Sequence, residues 1–150
     1  MPDIDTVLDE NAIVTALAEW LRSEGFTVDQ ALTTKEKGVD IIASRGEETW
    51  YIEAKGGTST RKGSPRHGEE FNPKQILNRV AQAFYTGAKM LNDHGGPKSR
   101  VFLAFPDSVG FRNTVKPIIN ALTALGIELL WVNGEGRVRE ISARKNQPSK

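Results

Sequence analysis

The chain of 150 residues predicts an α/β fold, a mixed central sheet flanked by helices. Three observations carry that prediction. Apolar residues recur at helical spacing in three separated stretches. Between them lie short apolar runs bounded by turn residues, which read as strands. Two of those runs follow one another across a short Gly-containing turn, whereas the later ones alternate with helices. Neighbours joined by a tight turn pair antiparallel, and strands separated by a helix cross over and pair parallel. The expected order is α-β-β-β-α-β-α-β with a further short edge strand.

Residues 9–24 form the first helix. Asp9 is its N-cap, Glu10 an acid in the dipole-favoured first turn, and Ile13, Val14, Leu17, Trp20 and Leu21 its apolar stripe; Gly25 ends it. A strand follows from Phe26 to Thr33, broken by the polar run Thr33–Gly38. Val39–Ser44 and Thr49–Lys55 form a hairpin about the turn Arg45–Glu48. Residues 56–73, GGTSTRKGSPRHGEEFNP, make a long loop; loops of this length in a compact domain are either functional or irregular insertions. Pro73 opens a helix over Lys74–Asn92, which His94-Gly95-Gly96-Pro97 closes. Arg100–Phe105 is a buried strand. Gly110–Leu125 is a helix that Pro117 kinks or restarts, and Gly126 stops it. Ile127–Val132 is a continuous apolar strand, Val138–Ile141 a short edge strand, and the tail from about Ser142 is expected to fray.

The length fits a single domain over residues 1–150 with a core of its own. With no Cys, disulfides and thiolate metal sites are excluded, and the chain suits a reducing, cytoplasmic setting. No apolar run approaches the roughly 20 residues of a membrane span. Net charge is +1, but its distribution is uneven: residues 1–24 hold six acids and one Arg, residues 55–100 nine Lys/Arg and three acids. A basic middle of this kind permits a polyanionic partner.

Chemistry concentrates where charge meets the core. Asp40 stands immediately before Ile41-Ile42-Ala43, and Glu53 and Lys55 end the run that begins Thr49-Trp50-Tyr51-Ile52. Side chains alternate along a strand, so Tyr51, Glu53 and Lys55 share one face, and the hairpin brings Asp40 beside the last two. Two carboxylates at that spacing repel unless a cation lies between them. Oxygen donors suit Mg²⁺, with Mn²⁺ as a substitute, and the Ala54 carbonyl adds another oxygen. A divalent ion eases deprotonation of water and offsets charge that builds on a phosphate, and Lys55 could stabilise the same charge. The same three residues also fit a Glu–Lys ion pair on a half-exposed sheet, an arrangement of little energetic weight.

The segment Gly38-Val39-Asp40-Ile41-Ile42-Ala43 with Tyr51-Ile52-Glu53-Ala54-Lys55-Gly56 resembles the signature of the PD-(D/E)XK nuclease superfamily. The resemblance implies a restriction-endonuclease-like αβββαβ core over residues 9–105, followed by an added helix and strands. It implies a Mg²⁺-dependent endonuclease that hydrolyses DNA phosphodiester bonds. Asp40 and Glu53 would be metal ligands, with Ala54 through its carbonyl, and Lys55 the catalytic lysine. A Glu in the first helix would complete the site: Glu10 is the candidate, Glu19 its competitor. A Gln on the following helix would support it, with Gln82 preferred to Gln75. The proline of the signature is replaced by Val39.

On this reading Arg61, Lys62, Arg66, Lys74, Gln75 and Arg79 would contact nucleic acid, through phosphates rather than base edges. His67 would be a secondary candidate. DNA is the expected partner, with RNA or a branched junction as alternatives. A homodimer or partner protein would be needed to cut both strands. A non-catalytic nucleic-acid-binding or assembly module on the same fold is the competing function.

Overall fold

A computed structural model describes residues 7–32, 38–59 and 69–141. The elements are α1 (Glu10–Ser23), β1 (Thr27–Ala31), β2 (Ile41–Arg45), β3 (Glu48–Ala54), α2 (Pro73–His94) and β4 (Ser99–Pro106). There follow α3 (Val109–Val115), a 3-10 turn (Lys116–Ile118), α4 (Ile119–Leu125), β5 (Ile127–Val132) and β6 (Val138–Ile141). The strands form one sheet in chain order, β1-β2-β3-β4-β5-β6. The β1–β2, β2–β3 and β5–β6 pairs are antiparallel, and β3–β4 and β4–β5 are parallel. The mixed sheet flanked by helices is thus present, with its change of direction where α2 replaces the tight turn.

Strand alternation divides the core into two layers. On one face Ile13, Val14, Leu17 and Leu21 of α1 pack on Trp50, Ile52, Ala54, Phe102, Ala104 and Leu130. On the other, Ile76, Val80, Ala83 and Met90 of α2, with Phe111, Val115 and Leu122, cover Val101, Leu103, Phe105, Leu129 and Trp131. Both faces of β4 and β5 are covered, so these strands are buried along most or all of their length. Each Val, Leu, Ile, Phe or Met side chain wholly removed from water contributes about 1.5–3 kcal/mol.

Three local features sharpen the sequence expectation. The strand expected from Val39 begins at Ile41. Gly38 adopts φ +131°, a conformation L side chains rarely take, and the Val39 carbonyl accepts the Gln30 side-chain amide at 2.6 Å. The helix expected over Gly110–Leu125 is divided at Pro117, whose missing N–H and ring tighten the chain into the 3-10 turn before α4 resumes. The loop after Lys55 is ordered at both ends: the Gly57 N–H donates to the Leu8 carbonyl at 2.9 Å, and the Phe71 N–H to the Gly57 carbonyl at 2.8 Å. Arg61, Lys62, Arg66 and His67 lie outside the described residues, as does the tail from Ser142. Among the described residues no helix is long and apolar enough to cross a membrane.

Candidate active site

The site is assembled at the end of the sheet where β3 finishes and β2 begins. Asp40 is held by its backbone, because its carbonyl accepts the Leu32 N–H at 2.8 Å. Its side chain then acts as a cap on the neighbouring strand: Oδ2 accepts the Ala54 N–H at 2.9 Å. That bond replaces the ladder contact that β2 is too short to supply. Ala54 presents its carbonyl on the same edge of β3 as its N–H. Lys55 extends the parallel pairing one residue further, its N–H donating to the Ala104 carbonyl at 3.0 Å.

Glu53 is buried at 7% exposure, in a strand whose other faces are apolar. Lys55 Nζ lies 3.3 Å from Glu53 Oε2, with both side chains largely withdrawn from water. The pair joins buried Glu53 to a half-buried Lys55 just past the end of β3, and is more withdrawn from water than an ordinary surface ion pair. Burial first, and then the neighbouring Asp40 charge and a hydrogen bond with it, push the Glu53 carboxyl up to about pKa 8 from an ordinary 4.5; Lys55 opposes the rise.

Glu10 enters from the start of α1. Asp9 caps the helix by accepting the Ala12 N–H at 2.9 Å. Burial and then the Asp40 charge raise the Glu10 carboxyl above its ordinary range, while Lys55 and Arg79 pull it down. Glu10 therefore shares the electrostatic environment of Asp40 and Lys55. Glu19 does not lie there; it is exposed and lines a groove with Ala12, Ala16 and the Gly134–Gly136 turn.

The donor set meets the demands of a hard divalent cation in part. Asp40 and Glu53 share a hydrogen bond and an excess of negative charge, and one or two carboxylates with waters is the usual protein share of a Mg²⁺ site. Among the described residues no group of three or more Asp, Glu or His stands close enough to hold a metal ion. Glu10 consequently does not join Asp40 and Glu53 as a third direct ligand in this geometry.

A restriction endonuclease family, the Mrr catalytic family, matches the chain over residues 8–67. The match supports a restriction-endonuclease-like fold of the PD-(D/E)XK, Mrr type. It covers less than half of the chain, yet it spans Glu10, Asp40, Glu53 and Lys55 together. No curated protein matches the chain.

On this restriction-endonuclease-like fold the remaining candidates separate by position. Arg79 is half-buried, its guanidinium 4.8 Å over the Phe71 ring, within electrostatic reach of Glu10. The return of the chain at Phe71, whose N–H donates to the Gly57 carbonyl, supplies the ring on which this guanidinium rests. The Gln75 side-chain oxygen accepts the Asn72 N–H at 2.9 Å in a reciprocal capping box, so that atom serves the helix start. Gln82 and Lys74 are exposed. Gly56 and Gly57 cross over the start of α1, and the pairing of two glycines directly after Lys55 is the one local signal of it.

Proposed function

We propose that the protein is a Mg²⁺-dependent nuclease that hydrolyses DNA phosphodiester bonds at the site formed by Asp40, Glu53 and Lys55. The observation that carries this reading is the Glu53 carboxyl, buried beside Asp40 with its proton affinity raised and Lys55 at 3.3 Å. The raised proton affinity marks a place short of positive charge, which a cation would supply. Asp40 and Glu53 would hold the ion, with the Ala54 carbonyl as a further oxygen, and Glu10 would add negative charge to the same environment. When bound, Mg²⁺ supplies a Lewis acid for the phosphate and makes water easier to deprotonate.

Within the chain, Asp40 has two tasks: it contributes charge to the site, and it fixes the end of β3 by its bond to the Ala54 N–H. Lys55 would donate to a phosphate oxygen and offset the charge that develops in the transition state. The half-buried Arg79 adds a second positive charge on the α2 side. Lys74 and Arg79, with Arg61, Lys62 and Arg66 of the loop, would bind phosphates along the strand.

The test is cleavage of duplex, single-stranded and branched DNA, and of RNA, in Mg²⁺ and Mn²⁺. Lys55→Ala and Asp40→Ala are expected to abolish cleavage while circular dichroism shows the fold retained. Salt-sensitive DNA binding with no cleavage in either metal, and binding unchanged in Asp40→Ala, would instead establish a non-catalytic nucleic-acid-binding module.

A further inference from the structure

We infer that Gly56 is a positioning residue of this site: it lets the exit of the lysine strand run against the first turn of α1, and so sets Glu10 beside Asp40 and Lys55. This rests on the nuclease reading above and concerns how its outlying carboxylate is held. A Cβ on Gly56 would lie 2.1 Å from the Glu10 nitrogen, 2.5 Å from the Asp9 carbonyl carbon and 2.8 Å from the Glu10 Cα. All three are backbone atoms, so no side-chain rotation relieves the overlap. A side chain at this position would require the start of α1 to move away from the end of β3.

The next residue ties the same crossing. The Gly57 N–H donates to the Leu8 carbonyl, two residues before Glu10, and the Gly57 carbonyl receives the Phe71 N–H. Residues 8, 57 and 71 thus form a short ladder beneath the site, and Phe71 carries the ring on which Arg79 rests. The body of α1 is seated on the sheet by Ile13, Val14, Leu17 and Leu21. Its first turn, which carries Glu10, meets the exit of the lysine strand where Gly56 lies against the Glu10 backbone nitrogen. Gly56→Ala would displace Glu10 without altering any carboxylate or Lys55.

Mn²⁺ binding to the metal-free protein, measured by calorimetry, tests the inference without reference to turnover. Gly56→Ala and Glu10→Gln are each expected to weaken Mn²⁺ binding about 10–100-fold, the range for residues that support a metal from outside its direct ligands. The double variant should bind no more weakly than the weaker single one, because both changes remove one interaction. Gly87→Ala is the control for general loosening: its Cβ would meet Leu103 Cδ2 at 2.9 Å, in the core under α2, and Mn²⁺ binding should be unaffected. If Gly56→Ala does not fold, Asp9→Ala frays the same helical turn with no added atom, and should weaken Mn²⁺ binding only when Glu10 is present. Wild-type affinity in Gly56→Ala, or losses that multiply in the double variant, would overturn the positioning role and leave the nuclease reading intact. A wild-type protein that binds no Mn²⁺ would overturn both.

Discussion

Replacing Glu53 by Gln should make the metal-free protein more stable in mild alkali. The Glu53 carboxyl is buried and titrates at about 8 in the folded protein, against 4.5 in an ordinary setting. Between those values the folded protein holds a proton that the unfolded chain has released. Stability therefore falls as pH rises, by about 1.4 kcal/mol per pH unit for one proton. The loss begins above pH 4.5, is complete above about 8, and amounts to roughly 3 kcal/mol between pH 5.5 and 7.5. Glu53→Gln keeps the shape and has no proton to lose. Its stability should lack this slope, crossing above wild type as pH approaches 8. Urea unfolding in EDTA, followed by fluorescence of the buried Trp50 and Trp131, measures both proteins across this range. The difference between the two curves is the quantity of interest, because every other group titrates in both. Parallel curves, or a wild type that gains stability with pH, would refute the assignment of a protonated, buried Glu53.

The same carboxyl must release its proton to take a cation, so Mn²⁺ affinity should rise by up to tenfold per pH unit below about 8 and level off above it, as calorimetry across pH would show. Glu10→Gln should impair cleavage whereas Glu19→Gln should leave it at the wild-type rate, since only Glu10 shares the environment of Asp40 and Lys55. At the far end of the sheet, Arg100→Met should cost about 3–5 kcal/mol in urea unfolding, because it strands carboxylates in the interior. Arg100 bonds Glu128 at 2.6 and 2.7 Å, Glu140 at 3.0 Å and Glu48 at 3.5 Å.

What the sequence disclosed and what it hid follow from the range of the interactions involved. Asp40, Glu53 and Lys55 were legible because alternation along a strand is local: a charge at the end of an apolar run must face either the core or a site. Pro117 was legible for the same reason, since its effect is confined to its own turn. Glu10 and Glu19 could not be separated that way, as both are acids on one helix. Their difference comes from Gly56, 46 residues after Glu10, passing over one of them. Arg79 and Gln82 share a helix flank, but only Arg79 meets the ring of Phe71. Glu128 lay concealed in the run IELLWV, where its partner Arg100 is 28 residues away.

The two charged clusters also answer why a chain would bury so many acids in one sheet. The Arg100 cluster is closed by geometry: one guanidinium, stacked 4.8 Å over Trp50 and 5.0 Å over Phe102, donates to three carboxylates from β3, β5 and β6. Its bonds join four of the six strands at the end where the parallel strands begin, so its role is to hold the sheet together. The cluster at the opposite end is built differently. Asp40 gives one oxygen to the Ala54 N–H, Glu53 faces a single lysine, and Glu10 joins their environment from the start of a helix. Burial and then the charge of Asp40 raise the proton affinity of both glutamates, which means the folded state there is short of positive charge. A chain seeking only stability would close that deficit with a second arginine, as it does at Arg100. Leaving it open lowers stability at neutral pH and creates a place that a cation, rather than a side chain, can fill. That cost is intelligible if the deficit serves the chemistry of a phosphodiester.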